Sequence, residues 1–211
     1  MFSIKLQNCG KRYNFEWIFR GISLDLESGH RQAILGSNGS GKSTLLQIIS
    51  SRSIASEGSV EFFDNSELIE TDKVYRHITL SAPYLELPEE FTLRELLDFH
   101  FSLKSPYNDL TPEEITEILR LKSSRNKPLR YYSSGMKQRV KLGLAILTRS
   151  DLLLLDEPCT NLDKAGMEWY RNLVETYANG RIIVVCSNHQ AIEYDFCDKQ
   201  ILIDDFKPRK A

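Results

Sequence analysis

The sequence predicts an α/β fold in which a mostly parallel sheet is covered by helices on both faces. A glycine-rich loop lies between a strand-like run and a helix-like run near residue 40, and continuous apolar runs recur in the last third of the chain. Such continuous runs are typical of strands that are buried on both faces. Two helix-start patterns stand between these regions, so we predict a helical insertion between the two halves of the core.

Short strand-like runs separated by polar turns occupy the first eighty residues. We predict strands at residues 2–7, 22–26, 31–35, 59–63 and 77–80, and a helix at 44–50.

The middle of the chain contains two capping boxes, which are patterns that begin helices. Thr92-Leu-Arg-Glu95 predicts a helix to about residue 103, and Thr111-Pro-Glu-Glu114 predicts another to about residue 121. From residue 152 onward we predict a buried strand, a helix, a buried strand, a helix and a final strand.

The length of 211 residues suits one domain, and the net charge of −2 gives no electrostatic case for binding nucleic acid or an anionic membrane. The basic run at residues 207–210 is interpreted as a solvated terminus rather than a binding patch. We find no internal repeat, low-complexity tract or long linker.

The sequence shows neither a targeting signal nor a cysteine spacing typical of metal binding. No run approaches the roughly 18 apolar residues that span a membrane, and the first residues lack the features of a signal peptide. We therefore expect a cytosolic chain unless a partner tethers it. Cys9, Cys159, Cys186 and Cys197 show no C-x-x-C spacing, so we expect reduced, structural thiols.

A complete phosphate-binding loop occupies residues 36–44, which read Gly-Ser-Asn-Gly-Ser-Gly-Lys-Ser-Thr. In the pattern G-x-x-x-x-G-K-[ST], backbone N–H groups surround a polyphosphate, the lysine reaches the β- and γ-phosphates, and the hydroxyl binds Mg²⁺. The strand before the loop and the helix after it argue against the alternative of a flexible linker. The predicted nucleotide-binding residues of the loop are Gly36, Ser37, Asn38, Gly39, Ser40, Gly41, Lys42, Ser43 and Thr44.

Two carboxylates follow the apolar run at 152–155, in the sequence Asp156-Glu157-Pro158. Ligands of open α/β sheets bind beyond the carboxyl ends of the strands. Asp156 is therefore a candidate to hold Mg²⁺ together with Ser43. Glu157 is a candidate general base for a water that attacks the γ-phosphate. The alternative is a simple strand end followed by a turn.

With these motifs in this order, residues 2–203 resemble the ATP-binding cassette (ABC) family, the ATPase subunits of ABC transporters. The resemblance implies a P-loop NTPase core with a mostly parallel sheet, an N-terminal antiparallel β-subdomain and an inserted helical subdomain. It implies a single ABC ATPase domain over residues 1–211, with the core at 1–83 and 150–211 and the helical subdomain at about 84–149.

The family's signature, usually Leu-Ser-Gly-Gly-Gln, corresponds to Tyr132-Ser133-Ser134-Gly135-Met136, which we call the signature segment. In the family it begins a helix and binds the γ-phosphate of the ATP that the opposite subunit holds. A serine cap and free N–H groups suit an anion, although an ordinary capped helix is the alternative. Ser134 and Met136 depart from the family's glycine and glutamine.

Three further positions match the family in order. Residues 160–163 (Thr-Asn-Leu-Asp) resemble the D-loop, which passes between subunits, and the aspartate is expected to cap the next helix. His189 resembles the switch histidine that contacts the γ-phosphate, and the resemblance makes it catalytic together with Lys42 and Glu157. Tyr13 resembles the aromatic residue that stacks on adenine. An ordinary surface histidine and an ordinary aromatic residue are the alternatives.

One residue of the family pattern is missing. In the family a glutamine after the strand at 77–80 lies near Mg²⁺ and the attacking water, and it couples the site to transmembrane partners. This chain has Ala82 or Pro83 at that place. Neither side chain coordinates a metal, so either Ser81 or a water substitutes, or hydrolysis and coupling differ.

The resemblance implies an ATPase subunit that forms a homodimer or heterodimer around ATP and Mg²⁺ and drives separate transmembrane permease subunits. The implied location is cytoplasmic and peripheral at the inner face of the cell membrane, with contacts to the permease near residues 82–87 and the helical insertion. Nucleic acid is not an expected partner. Two alternatives stay open: a soluble ABC ATPase in cofactor assembly, and a weakly hydrolysing regulatory module.

Overall fold

The fold is built from two β-sheets that differ in strand direction. A computed structural model of the chain describes residues 1–208. Arg209 and Lys210, the end of the basic run, lie outside the described residues, so the interpretation of that run stays a prediction.

The first sheet is antiparallel. Its strands are β1 (Phe2–Tyr13), β2 (Glu16–Glu27), β4 (Glu57–Asp64) and β5 (Glu67–Leu68), in the order β2-β1-β4-β5. Alternate side chains of β1 at Phe2, Ile4 and Leu6 are buried, as expected of a strand with one face on the core. The predicted antiparallel β-subdomain is confirmed, and β1 and β2 extend beyond the predicted strands because they pair up to a tight turn at Asn14.

The second sheet is parallel in each of its strand pairings. Its strands are β3 (Arg31–Leu35), β6 (Ile78–Ser81), β7 (Leu152–Asp156), β8 (Ile182–Ser187) and β9 (Lys199–Leu202), in the order β6-β7-β8-β3-β9. Every residue of β7 and β8 is buried, as the continuous apolar runs predict. The strands that carry the phosphate loop, the paired carboxylates and the histidine are therefore neighbours, and they end at one edge.

The helices lie on both faces of this sheet. They are α1 (Lys42–Ile49), α2 (Leu93–Leu103), α3 (Pro112–Ile118), α4 (Ser134–Ile146) and α5 (Lys164–Tyr177). Within residues 1–208 no helix is both long and apolar enough to cross a membrane.

Both predicted capping boxes are present. At the start of α2 the Thr92 hydroxyl accepts a hydrogen bond from the Glu95 amide at 3.3 Å, and the Glu95 carboxylate accepts one from the Thr92 amide at 2.8 Å. Thr111 and Glu114 repeat this geometry at the start of α3. Each box satisfies N–H groups that have no partner inside the helix.

Two helix predictions extend too far. Helix α3 ends at Ile118 rather than near residue 121, because Arg120 adopts a left-handed backbone with φ of 59°. The helix predicted after β8 is a single 3₁₀ turn, Ala191–Glu193, before the chain enters β9.

Alternate residues of β7 belong to two separate cores. Leu152 and Leu154 pack with α1 and the antiparallel sheet, whereas Leu153 and Leu155 pack with the helical insertion and α5. Each fully buried leucine contributes about 1.5–3 kcal/mol relative to its exposed state. The end of β7, where the carboxylates begin, is therefore held from both faces.

All four cysteines carry free thiols. Cys9, Cys159 and Cys186 are buried, and Cys197 is half-buried. Burial raises the pKa of Cys197 to about 12 and that of Cys159 further, so both thiols are protonated at neutral pH. The prediction of reduced, structural cysteines agrees with this arrangement.

Candidate nucleotide-binding site

The phosphate loop connects β3 to the start of α1. Gly41 stands at the N-cap with a left-handed backbone, φ of 111°, and no side chain caps the helix. A Cβ atom on Gly41 would lie 2.5 Å from Ile18 Cγ2, so β2 leaves room only for glycine. The first N–H groups of α1 lack intrahelical acceptors, and a helix N-terminus of this kind suits an anion.

The Lys42 ammonium lies across this loop. Its Nζ atom donates to the carbonyl oxygens of Gly36 and Ser37 at 2.9 and 3.1 Å, and the residue is only 4% exposed. The same Nζ atom lies 3.7 Å from Glu157 Oε1. The loop therefore presents a positive charge within reach of the carboxylates at the end of β7.

Ser43 and Asp156 form the candidate metal site. Asp156 is 2% exposed, and its Oδ1 atom is buried without a hydrogen-bond partner. Burial raises the pKa of Asp156, a hydrogen bond from the Ser43 side chain opposes the shift, and the neighbouring Glu157 carboxylate adds to it. A cation at this oxygen would remove the cost of leaving it unpaired.

The donor set fits Mg²⁺ shared with a phosphate. Mg²⁺ prefers oxygen ligands and is commonly held by one or two protein groups together with phosphate and water. In residues 1–208 no three His, Cys, Asp or Glu side chains converge as a complete metal cage. Asp156 and Ser43 would therefore hold the cation only in company with a bound polyphosphate.

Glu157 extends from the end of β7 with a left-handed backbone, φ of 44°, and its side chain is about one-third exposed. Its amide donates to the Cys186 carbonyl of β8 at 2.9 Å. The next residue, Pro158, receives a hydrogen bond from Gln138 Nε2 of α4 at 2.8 Å. The candidate base thus combines access to solvent with a loop that is fixed by two neighbouring elements.

His189 follows β8 at the same edge of the sheet. It is exposed and adopts a left-handed backbone with φ of 57°. Cys186 of β8 pairs with Asp156 of β7, so the loop after β8 lies beside the loop that carries Glu157. The topology therefore brings together the strand ends that carry the predicted lysine, carboxylates and histidine.

The signature segment begins α4, as predicted. Ser133 is the N-cap, and its Oγ accepts a hydrogen bond from the Met136 amide at 3.2 Å. Ser133 and Ser134 are exposed, whereas Gly135 and Met136 are half-buried. A Cβ atom on Gly135 would lie 3.0 Å from the Asn161 carbonyl oxygen, so this helix start contacts the segment that resembles the D-loop.

Asp163, the last residue of that segment, caps α5. Its Oδ1 atom accepts a hydrogen bond from the Gly166 amide at 2.7 Å. The predicted capping role of Asp163 is confirmed.

Tyr13 lies at the end of β1, paired with Glu16. The residue is 50% exposed, and the Lys11 ammonium lies 5.2 Å from the centre of its ring. The ring is therefore accessible, and its stacking on adenine stays a prediction.

The place of the missing glutamine is occupied by the fully buried Ala82. Ser81 pairs with Leu155 and shares its face, which is the face of the helical insertion. Asp156 follows Leu155 and points to the other face, so Ser81 lies on the wrong side of the sheet to replace the glutamine. Burial, and next the charge of Asp156, raise the pKa of Tyr84, which places that phenol in electrostatic range of the metal site.

Sequence reasoning missed one residue of the site's surroundings. Glu193, in the 3₁₀ turn after β8, is 2% exposed and contacts both the loop after β7 and the last residue of β8. A single carboxylate four residues after His189 gave no recognisable signal. The sequence also gave no indication that Gln138, which follows the signature segment, bonds to the loop after β7 at Pro158.

Comparisons with known proteins agree with this geometry. The family model described as "ABC transporter" matches residues 19–160. The uncharacterised ABC transporter ATP-binding protein YcbN of Bacillus subtilis is 29% identical over 84% of this chain and 59% of its own length. The uncharacterised ABC transporter ATP-binding protein YdbJ of the same organism is 30% identical over 95% of this chain and 66% of its own length. The chain thus spans less than two thirds of these relatives.

A solved structure shares the fold. It is the dimeric post-hydrolysis state of the ATP-binding cassette MJ0796 bound to ADP and Pi, with a TM-score of 0.81 and 23% identity. The likeness covers 98% of this chain and 97% of that one.

Proposed function

Because the chain belongs to the ABC transporter family, we propose that it is the ATP-binding and ATP-hydrolysing subunit of a transporter. The observation that carries this proposal is the convergence of Lys42, Asp156 and Glu157 at one edge of the parallel sheet. A buried ammonium 3.7 Å from one carboxylate, beside a second carboxylate with an unpaired oxygen, is suited to a polyphosphate with its cation.

ATP binds at the start of α1. The free N–H groups and Lys42 bind the β- and γ-phosphates, and Asp156 and Ser43 would hold Mg²⁺. When bound, Mg²⁺ neutralises charge on the phosphate oxygens. Tyr13 covers the adenine ring.

Hydrolysis depends on Glu157 and His189. Glu157 orients the attacking water and accepts its proton while the water oxygen bonds to the γ-phosphorus. The bond between the γ-phosphorus and the bridging oxygen breaks, and ADP leaves. His189 contacts the γ-phosphate, and Lys42 stabilises the charge that develops on it.

A second copy or a related chain completes each site. The start of α4, with the exposed Ser133 and Ser134 and the half-buried Gly135 and Met136, binds the γ-phosphate of ATP held by the opposite subunit. This supports a homodimer or heterodimer of ATPase domains, and the related cassette MJ0796 is dimeric in its solved structure.

Transmembrane permease subunits are the proposed partners, which makes the protein peripheral at the inner face of the cell membrane. An apolar cleft lies between the segments on either side of Ala82 in sequence and the helices of the insertion, and such a partner would dock there. Its lining includes Leu80, Leu85, Leu87, Leu144, Lys104 and Lys141. Apolar clefts of this kind accept the apolar face of a partner helix.

A weakly hydrolysing regulatory module is the second candidate, and Ala82 favours it because alanine offers no group to orient water. The presence of Lys42, Asp156, Glu157 and His189 favours the ATPase. The two functions differ in their turnover rate.

Glu157→Gln tests the proposal. We expect ATP turnover to fall by at least about 100-fold, because the amide cannot accept the proton, while ATP affinity is retained and a dimer accumulates. Phosphate release and size-exclusion chromatography with ATP measure both effects.

Glu168→Gln, on an exposed position of α5, is the matched control and should keep the wild-type rate. Undiminished hydrolysis in Glu157→Gln would exclude Glu157 as the base. A wild-type rate at background would instead support the regulatory module.

A further inference from the structure

Glu193 is a buried carboxylate whose two oxygens bind the loop after β7 and the last residue of β8. Its Oε1 atom accepts a hydrogen bond from the Cys159 amide at 2.9 Å, and its Oε2 atom accepts one from the Ser187 hydroxyl at 2.5 Å. Cys159 is two residues after Glu157. The carboxylate is therefore bound directly to the loop that carries the proposed base.

The second oxygen of Glu193 is linked through Ser187 to the loop that carries His189. Ser187 Oγ, which donates to Glu193, also accepts a hydrogen bond from the Gln190 amide at 3.2 Å. Gln190 is the neighbour of His189, so the hydroxyl closes the turn in which the histidine stands. We call the hydrogen bonds of Glu193 with Cys159 and Ser187, together with that of Ser187 with Gln190, the Glu193 clamp.

The clamp is itself fixed from α5. The Tyr170 hydroxyl, fully buried, donates to the Glu193 carbonyl oxygen at 2.9 Å. Ser187 is also fully buried. Since the carboxylate is shielded from water on these sides, its hydrogen bonds are strong and their loss is costly.

The two residues that the clamp flanks share an unusual backbone. Glu157 and His189 both adopt left-handed conformations, with φ of 44° and 57°. Such conformations are unfavourable for residues other than glycine and persist where the surroundings hold them. The Glu193 carboxylate accepts hydrogen bonds from the Cys159 amide, two residues after Glu157, and from the Ser187 hydroxyl, two residues before His189.

We propose that Glu193 is a positioning residue, which holds the base loop at Glu157 and the switch loop at His189 in one fixed relation. This inference rests on the proposed ATP hydrolysis for its effect on turnover, whereas the hydrogen bonds of the clamp involve protein groups alone. Because catalysis depends on the placement of water and γ-phosphate between these loops, loosening them lowers kcat while the phosphate loop still binds ATP.

Glu193→Met removes both acceptors at similar side-chain length. We expect kcat to fall by about 10- to 100-fold with the KM for ATP within about twofold of wild type. Glu193→Gln keeps one acceptor for the Cys159 amide and should recover part of the rate. Phosphate release over a range of ATP concentrations separates kcat from KM.

Thr116→Val is the matched control, because it also replaces a buried polar side chain by an apolar one, in α3 away from the site. It should lower thermal stability without a change in kcat. If Glu193→Met does not fold, Ser187→Ala removes one arm of the clamp and takes its place, with a smaller expected loss of kcat.

Amide hydrogen exchange of the nucleotide-free protein tests the clamp independently of activity. Glu193→Met should accelerate exchange by about tenfold or more at residues 157–160 and at 187–190 together. Unchanged exchange at either loop, an unchanged kcat in folded Glu193→Met, or a loss that only follows the folded fraction would overturn the proposal. A wild-type protein without ATPase activity would refute the proposed function, and the exchange result would still decide the role of the clamp.

Discussion

Helices α1 and α4 both begin at segments predicted to bind phosphate, yet their first turns are built differently. Helix α1 begins after Gly41, with a left-handed backbone and no capping side chain. Helix α4 begins after Ser133, whose hydroxyl already accepts the Met136 amide. The first N-terminus therefore leaves more of its donors available than the second.

The charged groups around the two helix starts also favour phosphate binding more strongly at α1 than at α4. Lys42 is buried and lies 3.7 Å from Glu157, whereas Ser133 and Ser134 are exposed. The start of α1 combines N–H groups, an ammonium and carboxylates within one chain. The start of α4 offers hydroxyl and N–H groups, and the one ammonium in its first turn, that of Lys137, is paired with Glu89. We therefore propose that a phosphate contacted by α4 is held mainly by the loop of the opposite subunit.

Lys42→Ala should have the largest effect of the three substitutions that test this difference between α1 and α4. We expect ATP affinity to fall by about 100-fold, because a buried ammonium that contacts phosphate is lost. Equilibrium titration with a fluorescent ATP analogue measures the change, and Lys122→Ala at the surface of the insertion is the control. Normal affinity in Lys42→Ala would break the contrast, since α1 would then bind phosphate no better than a plain helix start.

Ser133→Ala should have an intermediate effect at the other helix. Loss of the N-cap should lower the free energy of unfolding by about 1 kcal/mol, and we expect turnover to fall about tenfold while a single chain still binds ATP. Thr111→Ala removes a cap in the same insertion and is the control for stability alone. Thermal unfolding measures the stability of both variants, and phosphate release measures their turnover. If Thr111→Ala loses as much turnover as Ser133→Ala, the role of Ser133 is limited to capping.

Ala82→Gln should have the smallest effect, and it tests whether the missing glutamine limits turnover at the α1 site. We expect turnover to rise a few fold if the missing glutamine limits the rate, at a cost of about 1–3 kcal/mol in stability because Ala82 is fully buried. Ala82→Leu adds similar bulk without the amide and is the control. An unchanged rate in a folded Ala82→Gln variant would mean that another group already serves, and Tyr84 is a candidate because the charge of Asp156 raises the pKa of its phenol.

Local patterns predicted most of the fold. The phosphate loop, both capping boxes and the buried strands β7 and β8 depend on neighbours in sequence, so the sequence alone identifies them. The end of α3 was missed because a left-handed residue at Arg120 leaves no mark in the apolar pattern.

The tertiary contacts of the site were not predictable in the same way. The hydrogen bond from Cys159 to Glu193 joins residues 34 positions apart, and it depends on β7 and β8 being neighbours. The alternative of Ser81 for the missing glutamine failed for a related reason. Strand alternation decides its face, but only after the register between β6 and β7 is known.

The burial of the native thiols makes the chain a ready background for site-specific labelling. Thiol-directed reagents need an accessible thiolate, which the protonated Cys159 and Cys197 do not offer at neutral pH. A single Ser123→Cys substitution would therefore introduce the preferred attachment point, at an exposed position of the helical insertion outside the residues proposed to bind ATP. Spin labels or fluorophores there would report the separation of two chains through an ATP cycle without removal of the natural cysteines.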